Sequence, residues 1–422
     1  MGKSVTFIHA SDLHLGAPFK GLRALSPVWA NKLIKAIPEA FQRIIDEAIS
    51  SQVDFVIFSG DIFDNSQPSY AEFSLFIEGL KRLEQENIPV YLCMGNHDPY
   101  TSWKLDFATL PQNTYVFSPN APDYTVFRKN NSEDALVILG GRSYYTQAWS
   151  AQEDVSFGLS RKEAFKETGV VAPFVVGVIH TGLNIDPTRS PVDPKKLLKR
   201  EMDYWACGHI HQMMLFPKKH PRIAFSGCPQ GRDIKEQGEH GVLKVTLIEA
   251  EEPEIEFIPC ASVVWEQLSV EVGNCSTIAE IQERIINEQF SRNSVDHCQN
   301  MVCRVTLTGA TALHSELTSH VLSDLRDILN NTYPFFFIDV IENHTRAVID
   351  RETLQKEGLF PAVLFEVIDE QKNNPQASML YLEKQFYGRD LGLPGGFERN
   401  LDDIFEESET LLLDLLGNSD AL

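Results

Sequence analysis

The chain has 422 residues, enough for two or three domains with apolar cores of their own, so that disulfide or metal staples are not required for folding. The net charge of −22 disfavours nucleic acid as a partner of the chain as a whole. Nearly all of the excess acid lies in residues 251–422, however. The first 250 residues are close to neutral and are compatible with a phosphodiester substrate.

The seven cysteines form no CxxC pair, which favours buried free thiols in a reducing compartment over a disulfide framework. The first ten residues contain no long apolar segment of the kind that directs secretion. No later segment approaches the roughly 20 apolar residues of a membrane span. We therefore expect a cytoplasmic protein that does not associate with membranes.

Short apolar runs that end at turn residues or polar motifs alternate with helix-like segments over the first 210 residues. Such runs are typical of strands that are buried on both faces. The predicted strands are Val5–His9, Phe55–Ser59, Val90–Met94, Leu136–Gly140, Val175–His180 and Tyr204–Cys207. Apolar residues at helical spacing predict helices at Ala40–Ile49 and Phe73–Leu83. This alternation predicts a layered α/β sandwich.

Beyond residue 211 the pattern becomes β-rich, and we expect these segments to form a second sheet that closes the sandwich. They are Ile223–Phe225, Gly241–Ile248 and Glu254–Ile258. A strand, helix, strand, helix, strand pattern then starts near Trp265 and predicts a separate small domain. Helices are predicted in the acidic remainder at Pro361–Gln371, Ala377–Phe386 and Leu401–Leu416. The predicted domains are therefore residues 1–260, 261–345 and 346–422.

Five polar motifs follow predicted strands, and in open α/β sheets the functional site lies at the carboxyl ends of strands. The motifs are Asp12-Leu13-His14, Gly60-Asp61-Ile62-Phe63-Asp64, Gly95-Asn96-His97-Asp98, His180 and Gly208-His209-Ile210-His211. Each motif alone has a plainer explanation, such as a helix cap for an aspartate or a core position for a histidine. Together they supply carboxylate, amide and imidazole ligands for two divalent cations.

We expect Asp61 to bridge the two cations, because one carboxylate can span ions roughly 3.5 to 4 Å apart. The predicted remaining ligands of the first cation are Asp12, His14 and His211. The predicted remaining ligands of the second are Asn96, His180 and His209. A hydroxide that bridges the ions is expected to attack a phosphate ester.

His97 is predicted to act on the substrate, because its neighbour Asn96 is a ligand and adjacent side chains diverge. We expect it to protonate the leaving oxygen or to stabilise the charged, phosphorane-like transition state. Asp64 is predicted to accept a hydrogen bond from His97 and fix its tautomer, with Asp98 as the alternative acceptor. The predicted catalytic residues are therefore His97 and Asp64.

The ordered motifs resemble the signature of the calcineurin-like metallophosphoesterases. Within that superfamily, residues 9–16, residues 60–64 followed by Pro68-Ser69-Tyr70, and residues 226–232 resemble the bacterial SbcD-type DNA repair exonucleases, and in particular the shorter YhaO branch. The resemblance covers residues 4 to about 250. It implies a four-layer α/β/β/α sandwich with a small α+β capping domain and a helical carboxyl-terminal region.

The resemblance also implies the activity, the cofactor and the partners. It implies an exonuclease that uses two Mn²⁺ ions to remove nucleotides from DNA ends in DNA repair. It further implies a coiled-coil ATPase of the SbcC type that docks on the carboxyl-terminal helices. A homodimer is one option for the oligomeric state. Archaeal and eukaryotic relatives tend to carry histidine where this chain has Asp64, which leaves the balance of exonuclease and endonuclease activity open.

Three other functions fit part of the pattern. A phosphoprotein phosphatase needs an arginine directly after the second aspartate, where this chain has Asn65. A phosphodiesterase acting on cyclic nucleotides or nucleotide-sugars has the same ligand set and remains the main alternative. A non-catalytic scaffold has no use for His97. Phosphate binding is predicted for Lys195, Lys196 and Lys199, with a solvated loop as the alternative.

Overall fold

The structure is a computed structural model of the chain. It describes residues 3–19, 27–103, 109–129, 132–149, 153–292, 300–348 and 359–374, together with residues 376, 378–381, 384, 405 and 408. The chain divides into two compact units. The first comprises Met1–Gln267, Arg292–Arg304 and Asn330–Asp339, and the second comprises Leu268–Ser291, Val305–Leu329 and Val340–Leu422.

The described strands and helices are numbered in chain order. The strands are β1 (Ser4–Ala10), β2 (Phe55–Ser59), β3 (Val90–Cys93), β4 (Thr114–Val116), β5 (Asp123–Phe127), β6 (Val137–Arg142), β7 (Phe174–His180), β8 (Tyr204–Gly208), β9 (Met214–Phe216), β10 (Ile223–Phe225), β11 (Gly241–Ile248), β12 (Glu254–Pro259), β13 (Val264–Glu271), β14 (Met301–Thr311) and β15 (Phe336–Ala347). The helices are α1 (Pro27–Ser50), α2 (Tyr70–Gln85), α3 (Arg161–Thr168), α4 (Pro194–Leu198), α5 (Ile278–Arg292), α6 (Ser319–Thr332) and α7 (Leu359–Asn373).

The first sheet has the strand order β12-β11-β1-β2-β3-β4. Strands β1 to β4 run parallel, and β11 lies antiparallel to β1 in a register that pairs Ser4 with Ile248. We predicted that β10, β11 and β12 form the second sheet, and for β11 and β12 this is wrong. The long antiparallel pairing with β1 draws β11, and β12 beside it, into the first sheet.

The second sheet has the order β5-β6-β7-β8-β10-β9. Strands β6, β7, β8 and β10 run parallel, and the two edge strands β5 and β9 are antiparallel to their neighbours. The carboxyl ends of β6, β7 and β8 therefore lie at one edge of this sheet. Parallel strands buried by layers on both faces explain the continuous apolar runs of the sequence.

Three apolar cores separate four layers and confirm the predicted α/β/β/α sandwich. One core joins α1 and α2 to the first sheet and includes Phe41, Phe58 and Phe76. A second lies between the sheets, where the rings of Phe7 and Phe55 stack with their centroids 4.8 Å apart. The third joins the second sheet to the segments on its outer face, which include α3 and α4.

The helices begin earlier than the apolar spacing predicted. Helix α1 starts at Pro27, well before the predicted Ala40, because the apolar positions continue through Trp29 and Leu33. Helix α2 is capped by Ser69, whose hydroxyl accepts from the amide of Glu72 while the Glu72 carboxylate accepts from the amide of Ser69. This capping box fixes where the chain leaves the loop after β2.

A three-stranded sheet of order β13-β14-β15, with α5 and α6 between its strands in sequence, forms the strand and helix pattern predicted after Trp265. Helix α7 covers the predicted helix Pro361–Gln371. The predicted helices Ala377–Phe386 and Leu401–Leu416 lie almost entirely outside the described residues. Every described helix is too short or too polar to span a bilayer. Six of the seven cysteines are buried, and Cys298 lies outside the described residues.

Candidate metal centre

The polar motifs follow the carboxyl ends of strands in both sheets. Asp12, Asp61 and Asn96 come after β1, β2 and β3 of the first sheet, whereas His180 ends β7 and His209 follows β8 of the second. Main-chain bonds tie neighbouring motifs together. The amide of Asp12 donates to the carbonyl of Gly60, and the amide of His14 donates to the carbonyl of Asp61.

Four of the expected ligands have left-handed backbone, which side chains other than glycine rarely adopt. Their φ angles are +53° for Asp12, +47° for His14, +52° for Asp61 and +105° for His209. Each such conformation costs about 1–3 kcal/mol and persists only where the surrounding structure enforces it. Four of them in one cluster indicate a functional site.

Asp12, His14 and His211 form one group, whose ligand atoms lie within 4.8 Å of one another. The Nε2 atoms of His14 and His211 are 3.2 Å apart. Asp12 is fully buried, and its carboxylate accepts from the hydroxyl of Ser11 and from the amide of His209. Burial lowers the pKa of His14 to about 4, so the ring is neutral and has a lone pair to offer.

Asp61, His180 and His209 form a second group on the same distance criterion. Nδ1 of His180 donates to the carbonyl of Ser59 at 3.0 Å, so Nε2 faces the site. That Nε2 lies 3.1 Å from Oδ1 of Asn96 and 3.3 Å from Oδ2 of Asp61. The structure thus brings all the residues predicted for the second cation into one place.

Asp61 lies between the two groups. Its Oδ2 is 3.3 Å from Nε2 of His180 and 4.0 Å from Nε2 of His14, whereas its Oδ1 accepts from the amide of His97 at 2.8 Å. Burial alone would raise the pKa of Asp61, but the imidazoles around it outweigh burial and hold that pKa well below its usual range. The carboxylate is therefore ionised and placed to bridge.

The chemistry of these donors fits two divalent cations. Nδ1 of His211 lies 2.6 Å from the acceptor-only carboxylate of Glu236 and 2.9 Å from the donor-only guanidinium of Arg232, and the shorter contact with the carboxylate favours a proton on Nδ1. Nε2 of His211 is then a lone pair that faces Nε2 of His14. Burial opposes charge on His180, yet the adjacent Asp61 carboxylate raises the pKa of His180 to about 9. The lone pairs that His14 and His211 direct at each other are an arrangement that a cation stabilises, and a cation bound at Asp61 would take the place of the proton on Nε2 of His180.

Two carboxylates orient the ligand histidines, and the sequence did not identify either of them. Oδ2 of Asp186 accepts from Nε2 of His209 at 3.0 Å, and Glu236 accepts from His211. The neighbouring imidazole and guanidinium groups outweigh burial and hold the pKa of Glu236 well below its usual range. Such carboxylate–histidine pairs fix the tautomer and raise the basicity of a metal ligand.

Arg232 joins the Glu236 loop to the Asp64 loop. Its guanidinium donates to Glu236 at 3.0 Å and to Oδ1 of Asp64 at 3.3 Å. The same Asp64 oxygen is 3.2 Å from Nδ1 of His14. The Asp64 carboxylate therefore contacts the first group of ligands.

His97 is half-buried beside the metal-ligand groups, with its ring centroid 4.8 Å from that of His14. Its Nδ1 donates to Asp64 at 2.7 Å, but the acceptor is the main-chain carbonyl. Asp64 thus accepts the predicted bond, but through its main chain, because its carboxylate is drawn to His14 and Arg232. The carbonyl still fixes the tautomer and leaves Nε2 available.

Asp98, the alternative partner of His97, is instead fully buried and joins two motif loops through hydrogen bonds. Its Oδ2 accepts from the amides of Ile62 and Phe63, and its Oδ1 accepts from the amide of Gly95. Burial and the nearby charge of Asp61 raise the pKa of Asp98 to about 8. Its bonds hold the Asp61 loop in register with the Asn96 loop.

The glycine of the third motif is required by close approach. A Cβ atom on Gly95 would lie 2.1 Å from Oδ1 of Asp61, much closer than non-bonded atoms approach. Any side chain at this position would displace the bridging carboxylate.

Lys195, Lys196 and Lys199 are exposed on and just after α4. The indole of Trp205 donates to the carbonyl of Leu197 at 3.3 Å, so α4 packs beside the start of β8. His209 follows the far end of that strand, four residues and hence about 13 Å away. The structure does not bring these lysines to the metal centre, and their phosphate contact stays a prediction.

Residues 5–213 match the calcineurin-like phosphoesterase family, and residues 265–346 match the middle domain of metallophosphoesterase YhaO. The chain belongs to the calcineurin-like metallophosphoesterases, a family with a dimetal centre, and is a metal-dependent phosphoesterase. It is 30% identical over 292 residues to the uncharacterized metallophosphoesterase YhaO of Bacillus subtilis, an alignment that covers 68% of each chain.

The chain is also similar to archaeal proteins named DNA double-strand break repair protein Mre11. It is 31% identical over 231 residues to that of Methanococcus maripaludis, which covers 52% of this chain and 55% of the relative. It is 26% identical over 307 residues to that of Thermoplasma acidophilum, which covers 68% of this chain and 73% of the relative. The chain thus spans only about half the length of some of these relatives.

Proposed function

We propose that the protein is a DNA exonuclease that acts in DNA repair with two Mn²⁺ ions as cofactors. The observation that carries this proposal is His97, which lies beside the two groups of metal ligands with Nδ1 held and Nε2 available. A purely structural metal site has no need of such a group. The similarity to proteins named for double-strand break repair supports DNA as the substrate.

The chain's own residues divide into ligands and a proton donor. Asp12, His14 and His211 would hold one ion and Asn96, His180 and His209 the other, with Asp61 between them. When bound, the ions supply positive charge that neutralises the phosphate and favours ionisation of an attacking water. No side-chain nucleophile is required.

His97 acts on the leaving group. The carbonyl of Asp64 keeps a proton on Nδ1, so His97 in its imidazolium form gives its second proton from Nε2 to the leaving oxygen and returns to the neutral Nδ1–H tautomer. The amide of His97 is anchored on Asp61, which keeps the ring at a fixed position relative to the metal ligands. We propose His97 as the catalytic residue, and Asp64 as the residue that positions it.

Residues 346–422 are proposed to bind a coiled-coil ATPase of the SbcC type. Helix α7 has exposed apolar side chains at Val363 and Val367. An apolar helix face is a common docking surface for a partner protein.

The test is cleavage of end-labelled linear DNA in the presence of Mn²⁺, with methyl p-nitrophenyl phosphate as a small diester. We expect His97→Ala to keep its bound metal and to lose turnover on DNA by roughly 10² to 10⁴-fold. His320→Ala, at an exposed position of α6, is the matched control and should keep full activity. Unchanged cleavage by His97→Ala would remove the assigned role, and hydrolysis of the small diester alone would favour a small-molecule phosphodiesterase.

A further inference from the structure

A groove of about 540 Å³ opens at the carboxyl ends of β2, β3 and β6, beside the loop that carries His97. Three loops line it, and none of the lining side chains is charged. They include Ser66, Gln67, Thr101, Thr146, Gln147 and Ala148. The groove is therefore polar and neutral, and two of its lining residues, Ser66 and Pro99, lie two residues after Asp64 and His97 in the chain.

The walls of the groove are fixed by hydrogen bonds within the chain. The amide and the hydroxyl of Thr101 both donate to the carbonyl of Tyr145, and the amide of Tyr100 donates to the carbonyl of Tyr144. The hydroxyl of Thr146 donates to the carbonyl of Ala148. Because the loops are already ordered, little conformational entropy is lost when a ligand enters.

The lining chemistry selects the uncharged part of a nucleotide. A phosphate would call for cationic side chains, and this groove has none among its lining residues. The exposed amides of Gln67 and Gln147 each offer donors and an acceptor, which suit the edge of a base.

We propose that this groove binds the base and sugar of the nucleotide that adjoins the scissile phosphodiester. The proposal rests on the nuclease function proposed above. The volume of the groove falls in the range of pockets that hold one small molecule, roughly 300–1,000 Å³. A base must leave its pair to enter the groove. The groove therefore sets a preference for single-stranded or frayed DNA ends over fully paired ends.

The test fills the groove without touching the metal ligands or His97. Ala148 is exposed, so Ala148→Trp places an indole in the groove with no buried residue to displace. We expect KM for a single-stranded oligonucleotide to rise about tenfold, because the indole takes the space that the base would occupy. The kcat/KM for methyl p-nitrophenyl phosphate, which has no nucleoside, should stay within about twofold. Val171→Trp, at a site 77% exposed before β7, is the matched control.

Each outcome bears on the groove. An unchanged KM for the oligonucleotide in Ala148→Trp would overturn the proposal, and so would an equal loss on the small diester. Equal cleavage of frayed and fully paired ends by the wild type would remove the strand preference. A wild type that hydrolyses the small diester but cleaves no oligonucleotide would refute the nuclease function, and the groove's assigned ligand with it. That result is distinct from active DNA cleavage that Ala148→Trp leaves unaltered.

Discussion

Replacing Asp98 by alanine tests whether the two central loops of the metal centre are held by one buried carboxylate. The change removes the acceptor of three buried amides, those of Ile62, Phe63 and Gly95, at 2.9, 3.3 and 3.1 Å. An unsatisfied buried donor costs about 1–3 kcal/mol, and the 3.3 Å bond is the weakest. We expect the free energy of unfolding to fall by about 3–5 kcal/mol.

The loss is measured by urea unfolding followed by tryptophan fluorescence. All five tryptophans lie between residues 29 and 265, within the first unit, so the signal reports on that unit. Because the loops also position Asp61 and Asn96, a titration with Mn²⁺ should show a roughly 10- to 100-fold weaker affinity.

Asp134→Ala, at an exposed loop position, is the control for Asp98→Ala and should stay within about 0.5 kcal/mol of the wild type. A loss below about 1 kcal/mol in Asp98→Ala, with native Mn²⁺ affinity, would refute the reasoning, because each unsatisfied donor alone is worth about that much.

Two further predictions concern the second carboxylate–histidine pair and a buried histidine. Glu236→Gln should weaken Mn²⁺ binding roughly 10- to 100-fold in a metal titration, because a neutral amide oxygen accepts from Nδ1 of His211 more weakly and no longer raises the basicity of the ring. The exposed neighbour Glu239→Gln should bind Mn²⁺ normally, and equal affinities of the two variants would contradict this role. Burial lowers the pKa of His9 from 6.5 to about 3. As the pH falls below 6.5, His9 therefore binds a proton in the unfolded chain but not in the folded chain. The free energy of unfolding should then fall by about 1.4 kcal/mol per pH unit because of His9. His9→Gln should remove this contribution from the slope of the unfolding free energy against pH, measured between about pH 6.5 and 5, and identical slopes for the variant and the wild type would contradict the prediction.

The central strands could be predicted from the sequence because they are buried on both faces. The predicted strand Phe55–Ser59 agrees with β2 to the residue, since all five positions are buried. The strands β4 and β5 were missed, because most of their side chains are only half-buried and leave no continuous apolar run. Sheet membership of β11 could not be predicted either, since the apolar pattern of a strand does not name its neighbour.

The candidate ligand residues could be expected to lie together because each is at or just after the end of a predicted strand. The roles of Asp186 and Glu236 could not be predicted. Both residues lie on loops, and no regular sequence spacing links them to the histidines that they contact. The acceptor of His97 was predicted as the right residue but the wrong atom. The acceptor is a main-chain oxygen, which every residue has, so the side-chain types in a sequence cannot identify it.

The donor set is shared between the two sheets of the sandwich. The first sheet supplies Asp12, His14, Asp61 and Asn96, and the second supplies His180, His209 and His211. A partly folded chain with only one sheet formed would offer an incomplete set of donors and bind a cation weakly. Cation affinity therefore depends on the correct packing of the two sheets against each other. A substitution that disrupts the packing of Phe7 on Phe55 would lower this affinity, although neither ring touches a candidate ligand in the described contacts.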